Sequence, residues 1–434
     1  MDEIRAASQP VSMVPIEPIS AHSTVNTCRF CSRPLKHSFV DLGTSPLCQR
    51  HVRPDRLNHP EPFYPLHVYV CDGCFLVQLP AIISREEIFD DDYGYFSSFS
   101  DTWLQHAKLY VEAMIPRFGL NESSKVVEVA SNDGYLLQYF LKAGIPVLGI
   151  EPTSNTAAAA IKIGIPTETR FMGRQTAEEI LSIHGKANLL LGNNVLAHVP
   201  DINDFVNGIA MLLAPGGVIT MEFPQLLHLI EQNYWDTIYH EHYSYLSFTT
   251  VEKIFAHHGL TLFDVDELPT HGGSIRIYAR HTDDSSRAVH QRVGTMKDRE
   301  ARAGHFELSY YENFGARVKE SKRALLEFLI QAKRSGKQIA AYGAPGKGNT
   351  LLNYCGIRTD FLDYTVDRSP HKQGNFLPGT RIPILSPDKV RETKPDYLLI
   401  LPWNLKDEIT KQMAEIRHWG GKFVIPIPQV AVLD

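Results

Sequence analysis

The sequence predicts an α/β protein of three parts: a small metal-binding module followed by two doubly wound domains, each built on a parallel sheet. Three observations lead to this fold class. Two Cys-x-x-Cys pairs stand among short strand-like pieces near the start of the chain. From residue 125, strand patterns such as KVVEVAS and VLGIEP alternate with helical patterns, and the alternation starts again at residue 336. A chain of 434 residues is also too long for one hydrophobic core.

These patterns divide the chain into five segments. A leader at 1–23 is expected to be disordered, and the metal-binding module follows at 24–85. The first doubly wound domain is predicted for 86–282, the second for 336–434, and a charged helical linker at 283–335 joins them. Within the first domain, TLFDVDELP and SIRIYARH are predicted to form an antiparallel strand pair at one end of the sheet.

Charge and hydropathy argue against two classes of protein. The chain has 43 Lys and Arg residues against 49 Asp and Glu, a net charge of -6, whereas nucleic-acid-binding proteins usually have a basic excess. No apolar run is long enough to cross a membrane, and the N-terminus lacks the pattern of a secretory signal. We therefore expect a cytoplasmic protein without nucleic-acid or membrane partners, as a monomer or a weak homodimer.

The two Cys-x-x-Cys pairs are candidate ligands of a structural zinc ion. Cys28 and Cys31 form one pair, and Cys71 and Cys74 form the other. Two such turns aim four thiolates at one point, which is the common construction of a closed zinc site. Six cysteines are too few for a disulfide scaffold in a chain of this length. Four unrelated buried thiols are the alternative, and Cys48 could replace one ligand.

A candidate cofactor site follows the first strand of the larger domain. Its residues are Glu128, Ala130, Ser131, Asn132, Asp133 and Gly134. Ligands of doubly wound sheets bind beyond the carboxyl ends of the strands, and the absence of G-x-G-x-x-G argues against a nicotinamide cofactor and favours S-adenosylmethionine. Glu151 ends the second strand, where it can accept hydrogen bonds from ribose hydroxyls. Asn193 and Asn194 end a later strand, where they can contact the amino-acid part. A domain without any cofactor is the alternative.

The densest run of ionisable and aromatic residues, at 235–243, follows a strand end and contains the segment Tyr239-His-Glu-His-Tyr243. A histidine there can take a proton from a carbon next to a carbonyl, and a tyrosine or the other histidine can hydrogen-bond the enolate oxygen. If the loop is extended, residues 239, 241 and 243 project to one side and 240 and 242 to the other. His198 follows a neighbouring strand and is expected to reach the same crevice, with an ordinary core histidine as the alternative.

The ordered motifs VEVASNDG, NNVLAH, WDTIYHEHYSY and GAPGKGNT, behind the two Cys-x-x-Cys pairs, resemble the zinc-containing C-methyltransferases of deoxysugar pathways. These enzymes make branched sugars such as mycarose or tetronitrose. The resemblance covers the chain from about residue 26 to residue 430. It implies a class I, Rossmann-like methyltransferase domain between the zinc-binding module and a second Rossmann-like α/β domain. It also implies S-adenosylmethionine and structural Zn2+ as cofactors, and a nucleotide-linked 4-keto-deoxysugar as the substrate.

By this resemblance, His242 is the base that takes the proton at C-3 of the sugar, beside a C-4 ketone. The other residues that the resemblance implies for the catalytic site are Tyr239, Glu241, His198 and Tyr93. Tyr95 and His240 are assigned to substrate binding, and whether Tyr93 or Tyr95 matches the tyrosine of the family is left open.

The second α/β domain carries a glycine-rich turn between a strand and a helix. Glycines, backbone N–H groups and a lysine at the start of a helix suit a diphosphate, and an ordinary tight turn is the alternative. The candidate substrate-binding residues here are Tyr342, Gly343, Ala344, Lys347 and Asn349.

Three other functions stay open from the sequence. They are O- or N-methylation of a sugar nucleotide, methylation at C-5 instead of C-3, and a zinc-bearing interaction module fused to a catalytically silent α/β domain. The sequence does not determine the nucleotide base, the sugar or its stereochemistry.

Overall fold

The computed structural model describes residues 26–90 and 94–433. The predicted leader at 1–23 and Tyr93 lie outside the described residues. The strands are β1 (His37–Ser45), β2 (Tyr64–Val70), β3 (Val77–Gln78), β4 (Val126–Val129), β5 (Val147–Ile150), β6 (Thr167–Glu168), β7 (Ala187–Asn193), β8 (Leu213–Pro224), β9 (Ser244–Tyr245), β10 (Leu260–Leu268), β11 (Ser274–His281), β12 (Ile339–Tyr342), β13 (Thr365–Val366), β14 (Ile384–Leu385), β15 (Tyr397–Ile400), β16 (Lys422–Ile425) and β17 (Ala431–Leu433).

The helices alternate with these strands as the sequence predicts for an α/β protein. They are α1 (Arg85–Ile88), α2 (Asp101–Phe118), α3 (Leu137–Lys142), α4 (Ser154–Lys162), α5 (Arg174–His184), α6 (Ile202–Leu212), α7 (Leu226–Glu231), α8 (Phe248–His257), α9 (Gln291–Ala303), α10 (Leu308–Glu312), α11 (Phe314–Arg334), α12 (Gly346–Cys355), α13 (Asp388–Thr393) and α14 (Lys406–Gln412). Among the described residues, no helix is both long and apolar enough to span a bilayer.

The central sheet has the strand order β10-β11-β8-β7-β4-β5-β6. Strands β8, β7, β4, β5 and β6 run parallel, and every residue of β4 and β5 is buried, as apolar strands covered on both faces should be. The predicted pair TLFDVDELP and SIRIYARH is present as β10 and β11, antiparallel to each other and to β8. The doubly wound domain with an antiparallel end is therefore confirmed.

The N-terminal sheet, β1-β2-β3-β9, contains a strand from the central part of the chain. β3 of the metal-binding module pairs with β9, which follows the Tyr-His-Glu-His segment directly. The C-terminal sheet, β14-β13-β12-β15-β16-β17, is parallel except for its last strand, and it confirms the second doubly wound unit.

The segment predicted as a helical linker contains α9, α10 and α11, and its apolar side chains enter both main cores. Val293 and Met296 of α9 are buried with the central sheet. Phe314 of α11 stacks on Phe39 of β1 at 4.4 Å between ring centroids. These helices pack against all three parts, so the structure shows no clear division at the predicted bounds. The segment boundaries given above stay predictions.

Several chain segments meet at one edge of the central sheet. The carboxyl ends of β4, β5 and β7 lie there, and the turn between β10 and β11 joins them because Ser274 pairs with Pro224 at the end of β8. The loop at 235–243 follows α7 and contacts the start of α12. Ligands of such sheets bind at this edge, so the site is sought there.

Candidate active site and zinc centre

The four predicted zinc ligands form one compact cluster. The Sγ atoms of Cys28, Cys31, Cys71 and Cys74 all lie within 4.8 Å of one another, and the Cys28–Cys74 and Cys31–Cys71 distances are 3.5 Å. A zinc ion with bonds of about 2.3 Å to four sulfurs in a tetrahedron holds them about 3.8 Å apart, so the donor set fits. Four thiolates close every coordination position, which makes this zinc structural. Cys48 lies outside the cluster.

The cofactor loop after β4 has a strained backbone. Ala130 and Asn132 have φ of 56° and 49°, and Gly134 has φ of 78°. A left-handed conformation is uncommon for alanine, and such strain is typical of ligand-binding loops. Glu151 holds this conformation because its Oε2 accepts the Asn132 N–H at 2.9 Å, and its Oε1 accepts the Thr153 N–H at 3.0 Å.

Several buried polar atoms around this loop lack hydrogen-bond partners among the described residues. They are both carboxylate oxygens of Glu128, Ser131 Oγ, Asp133 Oδ1, both amide atoms of Asn193, and Asn194 Oδ1. Glu128 is fully buried, and burial raises its pKa well above the ordinary value, opposed by the neighbouring Tyr135 phenol. Buried polar groups normally have partners. A ligand with ammonium and hydroxyl donors and a carboxylate acceptor would satisfy this set, so the residues fit S-adenosylmethionine.

The Tyr-His-Glu-His segment forms a tight turn, in which the His242 N–H donates to the Tyr239 carbonyl at 2.9 Å. The rings of Tyr239 and His242 therefore lie together, with centroids 4.1 Å apart. The expectation for an extended loop, with residues 239 and 242 on opposite sides, does not apply because residues 240 and 241 form the turn. His198 packs against His242 at 4.7 Å between ring centroids, as predicted from the neighbouring strand.

The tautomer of His242 follows from its surroundings. Its Nδ1 lies 2.9 Å from the Thr237 carbonyl oxygen, which can only accept. Nδ1 therefore carries the proton of the neutral ring, and the lone pair is on Nε2. Burial lowers the pKa of His242 well below its ordinary value, helped by His198, and burial lowers the pKa of His198 to about 4. Both imidazoles are neutral at pH 7.

Glu241 and His240 turn in other directions. Glu241 Oε1 accepts from the Cys48 thiol at 3.3 Å, so a cysteine of the zinc-binding module reaches the active site. His240 is only 3% exposed and its Nε2 contacts the Pro65 carbonyl at 3.2 Å. The structure does not bring His240 together with the other site residues, and its predicted substrate contact gains no support.

Tyr95 connects the cofactor loop with the catalytic turn. Its carbonyl accepts from Asn132 Nδ2 at 3.1 Å. Loss of hydration, and then the charges of Asp133 and Glu241, raise the pKa of its phenol, although 41% of the residue surface is exposed. His198, which follows β7, packs against His242, so the catalytic turn lies at the same edge of the sheet as the cofactor loop.

Two groups that no sequence motif indicated also face this crevice. His271, in the turn between β10 and β11, has φ of 53°, and its Nε2 accepts from Asn194 Nδ2 at 3.2 Å. Trp403 lies beside the same turn, because a Cβ atom built on Gly272 would be 2.8 Å from its ring. Neither residue stands near the other site residues in the sequence, so only the folded chain could indicate them.

The glycine-rich turn of the C-terminal domain lies next to the crevice. Lys347 Nζ donates to Asn404 Oδ1 at 2.8 Å and sits 4.5 Å from the centroid of the Trp403 ring. Burial lowers the pKa of Lys347 to about 8, opposed by the charge of Asp236. Asn349 is buried, and its Nδ2 has no partner among the described residues.

The strand that leads into this turn ends at a cavity. Tyr342 lines a cavity of about 430 Å³, together with Asp101, Arg368 and Arg391. Gly343 has φ of 93°, and the Ala344 N–H donates to Asp367 Oδ2 at 2.8 Å. The predicted substrate-binding residues of this domain therefore occupy two neighbouring places, the cavity and the crevice.

This fold and this site define an S-adenosylmethionine-dependent methyltransferase with a structural zinc centre. Three family models match the chain: "Putative zinc binding domain" at residues 28–89, "Methyltransferase domain" at 103–265 and "C-methyltransferase C-terminal domain" at 269–428. The chain belongs to the C-methyltransferase family. It is 35% identical to the C-methyltransferase NovU from Streptomyces niveus over 410 residues, which are 94% of this chain and 97% of that protein. The resemblance inferred from the motifs is confirmed.

Other relatives match smaller shares of the chain. A ubiquinone biosynthesis O-methyltransferase from Nitrobacter winogradskyi is 25% identical over 95 residues, 22% of this chain and 36% of that protein. The structure of magnesium protoporphyrin IX methyltransferase from Synechocystis has a TM-score of 0.31 at 15% identity, covering 41% of this chain and 81% of that one. A methyltransferase from Clostridium acetobutylicum has a TM-score of 0.34 at 11% identity, covering 41% and 92%. Membership therefore rests on NovU and the family models.

Proposed function

We propose that this C-methyltransferase acts on a nucleotide-linked 4-keto-deoxysugar and that His242 removes the proton at C-3. One observation carries the proposal. The contact between His242 Nδ1 and the Thr237 carbonyl leaves the Nε2 lone pair available, and the ring packs on His198 just after β7, at the edge of the sheet where the cofactor loop lies. The base and the methyl donor must act on the same substrate carbon. The position of His242 near the cofactor loop supports the proposal for this reason.

The base works in its neutral form. Because burial keeps the pKa of His242 low, the ring is unprotonated at pH 7 and can accept the C–H proton on Nε2. The electron pair of that bond forms the C=C bond of an enolate, and the carbonyl π electrons move to oxygen. S-adenosylmethionine, when bound, would supply the electrophilic methyl group to the enolate carbon, with the S–CH3 bond broken and S-adenosylhomocysteine as the leaving group. Holding the two reactants in line can supply about 7–11 kcal/mol of the barrier.

Tyr239 and Glu241 have supporting roles in this proposal. Burial, and then the charge of Glu241, raise the pKa of Tyr239 well above its ordinary value, so its hydroxyl keeps its proton and can donate to an oxyanion. Glu241 is held by the Cys48 thiol at 3.3 Å. Tyr93 lies outside the described residues, and its catalytic role stays a prediction.

The cavity at Tyr342 supports a nucleotide carrier. Arg368 and Arg391 lie at its wall, each within ion-pair distance of a carboxylate, and guanidinium groups suit a diphosphate. The substrate class, a keto-deoxysugar, is taken from the resemblance of the sequence motifs, since the name of the relative NovU states only C-methylation.

The experiment uses the full-length protein, S-adenosylmethionine and a panel of nucleotide 4-keto-sugars, with carbon NMR of the product. His242→Asn is the main variant, because its Nδ2 can keep the bond to Thr237 while the Nε2 lone pair is lost. We expect a rate about 10²- to 10⁴-fold lower and an unchanged cofactor affinity by calorimetry. The exposed His418, replaced by Gln, is the matched control. A normal rate of His242→Asn refutes the base, and a methyl group on oxygen, nitrogen or C-5 refutes the assigned reaction.

A further inference from the structure

We propose that Lys347, a residue of the C-terminal α/β domain, supplies the positive charge that stabilises the enolate oxygen in the crevice of the central domain. The inference rests on the proposed function. It assigns to Lys347 a catalytic contact with the ketone oxygen in place of the predicted contact with a diphosphate.

The first turn of α12 packs against the catalytic turn. A Cβ atom built on Gly346 would lie 3.0 Å from Cys48 Sγ and 3.6 Å from Tyr239 Cζ. One turn later, Thr350 Oγ1 donates to the Ile238 carbonyl at 2.8 Å. The ring centroids of Tyr239 and His242 are 4.1 Å apart. The backbone of Lys347 is therefore next to the ring that packs against the base.

The ammonium group of Lys347 contacts the Trp403 ring and donates a hydrogen bond to Asn404. The Trp403 ring also packs against the turn that carries His271, through Gly272, and its Nε1 donates to Asp236 Oδ2 at 2.8 Å. The backbone of Lys347 is therefore next to the turn of His242, and its ammonium contacts the ring that packs on the turn of His271. The ammonium charge contributes to the lowered pKa of both imidazoles.

The charge of Lys347 is not neutralised by a close carboxylate. No ion pair within 4.0 Å involves Lys347 in residues 26–90 and 94–433, and the single hydrogen bond found there, to Asn404, uses one of its three N–H donors. Asp236 is the carboxylate whose charge it feels, and burial raises the pKa of Asp236 to about 6. A desolvated ammonium without an ion pair is costly, and such groups are typical of functional sites.

In a 4-keto-sugar, the oxygen that gains negative charge is one bond away from the carbon next to C-3. C-3 and C-4 are bonded neighbours, so a cation that shares the space in front of His242 is within reach of the C-4 oxygen. When the C–H proton moves to His242 Nε2, the electron pair becomes the C=C bond and the carbonyl oxygen gains the negative charge beside the ammonium. Lys347 keeps its proton throughout. The diphosphate is attached at C-1, and Arg368 and Arg391 offer it a different partner.

The test separates enolate formation from methyl transfer. The enzyme is loaded with S-adenosylhomocysteine, and exchange of the C-3 hydrogen of the best 4-keto-sugar with D2O is followed by proton NMR. Lys347→Met should exchange about 10²- to 10³-fold more slowly, the usual loss when one oxyanion-stabilising group is removed. Lys347→Arg should retain part of the rate. The control is Lys337→Met, because Lys337 is paired with Asp396 at the other end of β12, 2.9 Å away.

Binding and pH supply the second readout. The dissociation constant of the free nucleoside diphosphate of that substrate should change less than twofold in Lys347→Met. In the wild type, exchange should fall above about pH 8 as Lys347, which faces Asp236, His242 and His271, loses its proton, and Lys347→Arg should shift this limb to higher pH. The inference is overturned if Lys347→Met exchanges the C-3 hydrogen at the wild-type rate. It is also overturned if the variant binds the nucleoside diphosphate more weakly while the exchange rate at saturating substrate is unchanged. Absence of exchange in the wild type overturns the proposed function itself.

Discussion

Replacing the zinc ligand Cys31 with serine is expected to release the zinc ion and to loosen the catalytic turn, although the two sites are built from different parts of the chain. Structural zinc contributes about 10–16 kcal/mol in isolated zinc fingers, which is comparable with the whole stability of a domain, about 5–15 kcal/mol. The two Cys-x-x-Cys turns and the adjoining segment 75–83 should therefore lose their ordered structure without the ion.

The size of the effect on the turn follows from the bonds that join it to the zinc-binding module. The Leu79 N–H donates to the Tyr243 carbonyl at 2.9 Å, and the Tyr243 hydroxyl donates to the Ile83 carbonyl at 3.0 Å. β3 also pairs with β9 at two positions. At a net value of about 1 kcal/mol for each hydrogen bond, these contacts hold the turn by about 4 kcal/mol, which corresponds to about a thousandfold in the opening equilibrium.

The assay combines native mass spectrometry for zinc with hydrogen exchange of peptides. In Cys31→Ser, the peptide covering 240–246 should exchange up to about a thousandfold faster, methyl transfer should fall with the zinc content, and peptides of β4 and β7 should be unchanged. Cys355→Ala, which removes a buried thiol outside the cluster, is the control. Zinc-free protein with unchanged exchange at 240–246 would refute the reasoning, because the central domain alone would then hold the turn.

The cofactor loop, the packing of two helices and the buried imidazoles allow three further tests. Glu151→Ala should raise the dissociation constant of S-adenosylmethionine about 10- to 100-fold, since loop and ribose lose a charged acceptor; unchanged calorimetry would contradict this. Gly208→Ala should destabilise by about 1–3 kcal/mol because its Cβ would lie 2.7 Å from a neighbouring carbonyl oxygen, whereas the exposed Gly294→Ala should stabilise by about 0.5–1 kcal/mol; the reverse order in urea unfolding would be decisive against it. Burial lowers the pKa values of His198 and His271 to about 4, so the unfolded state binds more protons than the folded state below pH 6.5. The melting temperature should therefore fall between pH 6.5 and about pH 4. Variants with Gln in place of either histidine should show a smaller fall.

Much of the fold could be predicted because its signals are local. Apolar strands such as KVVEVAS and alternating helices appear in the order that the structure shows, and the four zinc ligands share one short spacing. The same applies to the cofactor loop, whose residues are consecutive. The features that the sequence did not predict are the shapes of single turns. Residues 239 and 242 meet because a hydrogen bond closes the turn between them, and side-chain alternation cannot anticipate such a bond.

The active site could be predicted only in part. His242, Tyr239 and His198 stand in recognisable motifs, and the structure brings their rings together. Cys48 and His271 carry no motif, and each reaches the crevice from a different part of the chain. The roles of all the site residues stay predictions until the variants are measured.

By itself the sequence determined the α/β class, the zinc ligands, the cofactor and the C-methyltransferase family, because hydrophobic periodicity and short motifs are written in neighbouring residues. Only the tertiary structure decided which nitrogen of His242 holds the lone pair, and that a lysine about a hundred residues further along the chain lies against Trp403, beside the turn that carries His271. Those properties depend on a carbonyl at one turn and an aromatic ring at another, and groups so far apart in sequence become neighbours only when three sheets pack around them.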